Sequence, residues 1–169
     1  WIQPALLCYD TSTKALKRYT SFINQDFTPL SPLFYVRCAV EDADHNIWIG
    51  TDVGPAMLTA STLASGGDTF TQVKVPRNDG TNLADYLLSG LDINLIIVDG
   101  ANRKWFATNT NGLYLIDSDN ITQLHHFTTE NSPLPSNQIL SLALDNTTGE
   151  LFIGTSAGLC SYMTDSSQP

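Results

Sequence analysis

Asp42-Ala-Asp-His-Asn46 is the stretch whose residue types come nearest to a metal site, with oxygen donors at alternate positions as in the opening of a calcium loop. The following Gly and the distal Glu of such a loop are missing. The Asp42 carboxylate is therefore read as closing a hairpin turn by accepting backbone N–H bonds. His125 and His126 are adjacent on a predicted strand, where neighbours point to opposite faces, so they do not chelate one metal and are read as solvated. Glu41, Glu130 and Glu150 are scattered over different units, and neither a nucleophile elbow nor a metalloprotease helix is present. No catalytic residue, metal site or cofactor is predicted, and the chain reads as non-enzymatic. The one enzymatic alternative is a carboxylate pair meeting at a central funnel.

Asp42 is the first residue of a unit that recurs. Asp42-Ala-Asp-His-Asn-Ile-Trp-Ile-Gly-Thr51 is restated as Asp99-Gly-Ala-Asn-Arg-Lys-Trp-Phe-Ala-Thr108 and as Asp145-Asn-Thr-Thr-Gly-Glu-Leu-Phe-Ile-Gly-Thr155. The threonines lie 57 and 47 residues apart, a period found in propeller blades and helical arrays. Within each unit the apolar residues come in short runs bounded by turn formers, which predicts strands rather than helices. First strands are predicted at 36–41, 93–98 and 139–144, second strands at 46–50, 104–108 and 150–155, and third strands at 56–58, 113–116 and 159–162. Outer fourth strands are predicted at 69–75 and 121–127. Four strands every fifty residues make one propeller blade.

The predicted fold is all-β, a fragment of a β-propeller with about three and a half four-stranded antiparallel blades. Residues 1–20 form a partial blade, with Trp1-Ile2 as its second strand; 33–76 and 91–128 form blades, 138–163 an incomplete blade and 164–169 a polar tail, all of one propeller domain. Closed propellers use roughly four to eight blades, so the chain is expected to be a piece of a larger one, or to complete a ring of about seven by self-association. A net charge of −9 with only eight Lys and Arg leaves no basic patch for nucleic acid. No run of about twenty apolar residues and no signal peptide is visible. Cys8, Cys38 and Cys160 are an odd set on predicted strands, expected as buried, unpaired thiols that alkylate slowly.

The pattern of apolar strand, Asp turn, Asn46-Ile-Trp-Ile-Gly-Thr51, then Gly and an apolar run resembles the two-component regulator propeller repeat of exported Bacteroidetes proteins. Asn131-Ser-Pro-Leu-Pro-Ser-Asn-Gln-Ile139 also resembles the loop that this family places before an inner strand, and the likeness runs from Phe34 to Tyr162. Four positions depart from it: His45 stands where the turn usually has Gly, Ala107 replaces Gly, Phe152 replaces Trp, and Leu58 lacks the Tyr-Asp ending. Trp48, Gly50, Thr51, Trp105, Thr108, Phe152, Gly154 and Thr155 are thus read as scaffold, the aromatic residues packing blade against blade. The resemblance implies two kinds of relative: a surface propeller of the type IX (Por) secretion system, which the pattern matches better, and periplasmic sensor regions of hybrid histidine kinases. It implies an exported protein of the cell surface or periplasm, with partners that are a glycan or lipopolysaccharide, or protein components of a secretion or sensing complex.

A four-stranded meander brings the links between blades and the second-to-third turns to one face. The long segments 21–35, 76–90 and 128–138 are expected there, and a rigid scaffold with long loops concentrates binding in the loops. The candidate binding residues are Phe34, Tyr35, Asp52, Tyr86, Asn109, Thr110, Asn111, Asn137 and Ser156, with aromatic rings to stack on a sugar and amides, hydroxyls and a carboxylate to hydrogen-bond it.

Overall fold

The computed structural model describes residues 4–165. The predicted strand at Trp1-Ile2 and the end of the predicted tail, 166–169, lie outside the described residues. The chain begins with a hairpin of β1 (Leu6–Tyr9) and β2 (Leu16–Tyr19), followed by the short β3 (Ile23–Asn24). A three-stranded meander of β4 (Val36–Glu41), β5 (Ile47–Thr51) and β6 (Gly54–Leu58) comes next, then a short helix α1 (Ala60–Ala64) capped by the Thr59 hydroxyl. After β7 (Thr69–Phe70), β8 (Lys74–Pro76) and β9 (Ala84–Tyr86) comes the complete blade: β10 (Ile93–Val98), β11 (Lys104–Thr108), β12 (Leu113–Ile116) and β13 (Gln123–Phe127) in sequential antiparallel order. The meander of β14 (Ile139–Asp145), β15 (Glu150–Thr155) and β16 (Gly158–Met163) closes the described chain. β4, β10 and β14 lie beside one another, so they are the inner strands of a propeller sector.

Successive residues of each second strand point into opposite interfaces, as the period of two demands. Ile49 packs with Tyr19, Phe22 and Phe70 toward the first hairpin, whereas Trp48 packs with Ile96, Phe106 and Ile116 of the next blade. One repeat later Phe106 looks back and Trp105 looks forward, onto Leu151 and Ile153. Trp48 meets Phe106 edge-on at 5.7 Å, and Trp105 meets Tyr162 at 5.9 Å, geometries that aromatic quadrupoles favour. Phe152 holds the same forward-looking place in the last blade. It is 38% exposed, and Ala143, Leu159 and Met163 on the same face are exposed with it, because no blade among the described residues covers that face. At the other end the outward face of the first hairpin exposes Leu7, Tyr9 and Leu16.

Several expectations need correction. The outer strand expected at 69–75 is broken: β7 pairs in parallel with β3, Thr71 makes a lone bridge to Met57, and β8 folds with β9 into a separate hairpin. The cause lies at Gln72. Gln25 accepts its backbone N–H at 2.9 Å and donates to its carbonyl at 2.8 Å, taking the groups that would have continued the ladder. Thr164, assigned to a polar tail, is buried against Gly149. Cys8 is exposed beside an open cavity that Tyr19, Ile47 and Leu63 also line, whereas Cys38 and Cys160 are part-buried; all three are free thiols. His126 is not simply solvated: it stacks on Tyr114 at 3.8 Å, and its Nε2 bonds the Asn111 carbonyl at 2.7 Å.

Candidate functional site

Each threonine of the repeat clasps the turn between second and third strands. The hydroxyls of Thr51, Thr108 and Thr155 donate to the carbonyls of Gly54, Gly112 and Gly158 at 2.6, 2.7 and 2.8 Å. They accept the amides of Val53, Asn111 and Ala157 at 3.1, 2.8 and 3.2 Å. Gly112 takes φ +79° there, and a Cβ on it would run into the Phe127 carbonyl. Gly50 is small for another reason, since a Cβ would sit 2.6 Å from the Cys38 sulfur and 3.0 Å from the Ile93 carbonyl of the next blade. These positions hold one rim of the sector rigid.

On that rim each inner strand carries the same irregularity. The ladder shifts between Val36 and Cys38, between Ile93 and Leu95, and between Ile139 and Ser141, leaving Arg37, Asn94 and Leu140 as the extra residues. A bulge re-aims its side chain. These three line one open cavity of about 400 Å³ with Tyr35, Val36 and Leu95, a mouth at one end of the inner strands, which in a propeller border the central channel.

A chain of polar contacts crosses this mouth from blade to blade. Arg37 grips Asp92 with two bonds, Nε to Oδ1 at 2.5 Å and Nη2 to Oδ2 at 2.8 Å, and lies 4.9 Å from the Tyr35 ring centroid. The bond to Asp92 pushes the guanidinium further above its ordinary range, so Arg37 stays charged. Asn109 donates to Asp92 Oδ2 at 3.3 Å and accepts from Gln138 Nε2 at 2.8 Å. Asn94 donates across to the Ile139 carbonyl at 2.9 Å.

The predicted residues take different roles. Phe34 and Tyr35 project from the mouth, Tyr35 with 58% of its surface exposed. Asp52 is spent on holding them, accepting the Phe34 amide at 3.1 and 3.2 Å and the Tyr35 amide at 3.0 Å, so it positions the rings rather than offering a free carboxylate. Thr110 and Asn111 bond each other at 2.7 Å on the exposed turn. Asn137 braces the preceding loop through Thr129 at 2.9 Å, and Ser156 meets Ser136 at 2.9 Å. Tyr86 is not an exposed platform: its hydroxyl donates to Asp26 at 2.7 Å, in a separate cluster with Lys74. Arg37, Asp92, Asn94 and Gln138 were missed. Arg37, Asn94 and Leu140 are the position where otherwise similar inner strands differ most in chemistry, which is the signal that aligning the copies would have shown.

On the opposite rim Asp42 accepts the amides of Asp44 and Asn46 at 3.0 Å and the Trp48 indole at 2.9 Å. Burial pushes its carboxyl up, but the indole, Asn46 and the Lys104 charge together hold it below the usual carboxylate range. Asp99 repeats the arrangement with Ala101, Arg103 and Trp105. Both carboxylates are consumed by their turns. Among the described residues no three His, Cys, Asp or Glu side chains group as a metal site.

Residues 29–53, which span the Asp52-held aromatic pair and reach Thr51 of the first clasp, match the two-component regulator propeller family. The chain carries this propeller repeat. No curated protein matches it. Among solved structures it is similar to PorZ, described as an essential bacterial surface component of the type-IX secretion system of Porphyromonas gingivalis. The TM-score is 0.81 at 31% identity, covering 93% of this chain and 21% of that one. It is also similar to the extracellular domain of a putative hybrid two-component system of B. thetaiotaomicron, with TM-score 0.58, 26% identity, and 94% and 17% of the two chains covered. A second such extracellular domain from the same organism, at 19% identity and TM-score 0.63 over 94% and 19% of the chains, shows the fold alone. This chain therefore spans about a fifth of the length of these relatives. It is a propeller segment similar to a secretion-system surface component and to sensor ectodomains.

Proposed function

We propose that this propeller segment is a non-enzymatic recognition and docking scaffold of an exported cell-surface protein associated with type IX secretion. Its channel mouth is the contact surface, and the ligand is a neutral surface glycan, such as the polysaccharide of lipopolysaccharide, or a protein of the same apparatus. The carrying observation is the bulge repeated in three inner strands, which turns Arg37, Asn94 and Leu140 into one cavity beside exposed Phe34 and Tyr35. Aromatic rings next to planar amide and guanidinium donors suit the faces and hydroxyls of a sugar. The likeness to PorZ supports a surface role. The likeness to extracellular sensor domains supports a second reading, in which the same mouth senses a ligand for a two-component kinase. No described helix is long and apolar enough to cross a membrane.

The test is binding of the full chain to lipopolysaccharide and to its released polysaccharide, measured by calorimetry. Alanine at Phe34, Tyr35, Asn109 and Asn111 is expected to weaken binding about tenfold or more for the central residues. Alanine at Asp44 or Asn146, on the opposite rim, is expected to leave it unchanged. Binding that survives the first set and fails with the second would place the contact surface on the other rim.

A further inference from the structure

Phe27 stands at the tip of the turn 24–28 with 90% of its surface exposed and φ at 58°, the left-handed region that bulky side chains rarely occupy. The turn that carries it is rigidly braced. The buried Asn24 side chain accepts the amides of Asp26 at 3.0 Å and Thr28 at 2.9 Å, and donates to Gln72 at 2.8 Å. Gln25 holds the backbone of Gln72 by two bonds, and the Asp26 carboxylate takes Lys74 at 2.8 Å and Tyr86 at 2.7 Å. A bare aromatic ring in a strained conformation on a fixed support contributes nothing to the core, and such strain clusters at ligand-binding positions.

Beside the ring Ser21, Ile23, Phe27, Asp68 and Thr69 enclose a cavity of about 240 Å³. Asp26 is neutralised by Lys74, but exposed Asp68 has no hydrogen bond or ion pair among the described residues. The cup thus combines an aromatic face, a free carboxylate and two hydroxyls. We propose that it receives the guanidinium or ammonium of an arginine or lysine side chain from a protein partner. An aromatic face and a carboxylate attract a cation together, and the chain's charge of −9 draws a basic segment toward the surface. The cavity is smaller than the roughly 300–1,000 Å³ of small-molecule pockets, which favours one side chain over a saccharide. This site is separate from the channel mouth and does not rest on the glycan reading.

Titration of the isotope-labelled full chain with N-acetyl-arginine amide, followed by amide chemical shifts, tests the proposal. Saturable shifts are expected at Ile23, Phe27, Asp68 and Thr69, several-fold weaker at raised salt, and lost in Phe27→Ala and Asp68→Asn while the remaining spectrum is unchanged. Methyl glucoside and N-acetyl-norleucine amide are expected to move none of these resonances. Phe27→Asn, which suits a left-handed turn, is expected to raise Tm while abolishing the shifts. Absence of site-specific shifts with the arginine compound, shifts with the glucoside in its place, or a lowered Tm in Phe27→Asn overturns the proposal.

Discussion

The ammonium of Lys104 lies 3.6 Å from the Asp42 carboxylate, and both side chains are wholly enclosed between the second and third blades. The Asp42 oxygens are occupied by Asn46 and the Trp48 indole, so Lys104 Nζ makes no hydrogen bond among the described residues and acts as a bare charge near the indole ring, 5.8 Å from its centroid. One blade's turn carboxylate is thus balanced by the next blade's strand. In the following repeat Asp99 is balanced within its own turn by Arg103, which reaches on to Asp165 at 2.6 Å.

Removing one member of this buried pair should cost far more than removing both. Lys104→Ala leaves the Asp42 charge uncompensated and is expected to lose about 3–5 kcal/mol of unfolding free energy in urea titration. Lys104→Met combined with Asp42→Asn removes both charges, leaving only the Trp48 indole short of an acceptor, and should lose less than Lys104→Ala alone. Simple addition of the single losses would show that the two groups do not interact.

The same carboxylate sets part of the acid response. Its folded-state pKa is held below the unfolded value, so its stabilisation is complete above the unfolded carboxylate pKa and is lost as pH falls through the folded one. The parent should lose stability below about pH 4, and Asp42→Asn, though less stable at neutrality, should show a flatter acid limb. Equal slopes in the two proteins below that pH would remove Asp42 from the acid transition.

Much of this scaffold was readable because the repeat is local chemistry. Asp42 and Asp99 cap turns through amides two and four residues on, and Thr51, Thr108 and Thr155 clasp turns within four residues, so each device lies within a single motif. The outer edge of the second blade was not readable, because Gln25 and Gln72 meet across 47 positions and override an alternating pattern that otherwise reads as a strand. The channel mouth was half readable. Exposed Phe34 and Tyr35 follow from loop position, but a bulge leaves no mark in hydrophobic alternation, so Arg37 and Asn94 passed as ordinary strand residues. The Lys104–Asp42 pair spans blades and looks, in sequence, like a lysine on a strand edge.

The three thiols should separate by burial rather than react alike. Burial pushes the Cys38 and Cys160 thiols up, whereas Cys8 is exposed on the first hairpin. Native iodoacetamide treatment followed by intact mass should show one fast label, at Cys8, and two slow ones. Fast labelling of Cys38 would mean that the close contact with Gly50 opens readily in solution.

The last prediction concerns the uncovered blade faces. Trp48 and Trp105 each find an aromatic partner in the next blade, while Phe152, in the same register, has none among the described residues, and Ala143, Leu159 and Met163 lie bare around it. Leu7, Tyr9 and Leu16 form a second bare apolar face at the opposite end of the sector. Apolar surface gains about 25 cal/mol per Å² on leaving water, so the isolated chain should associate through these faces rather than remain at 18.5 kDa. Phe152→Asp places a charge at the centre of one face without touching the internal core, and should move the sedimentation mass toward that of a single chain with little change in the far-UV spectrum. Trp48→Ala, by contrast, opens a cavity between covered blades and should cost about 3–5 kcal/mol at every concentration. A parent chain that sediments as a monomer at high concentration would show that these faces are tolerated bare.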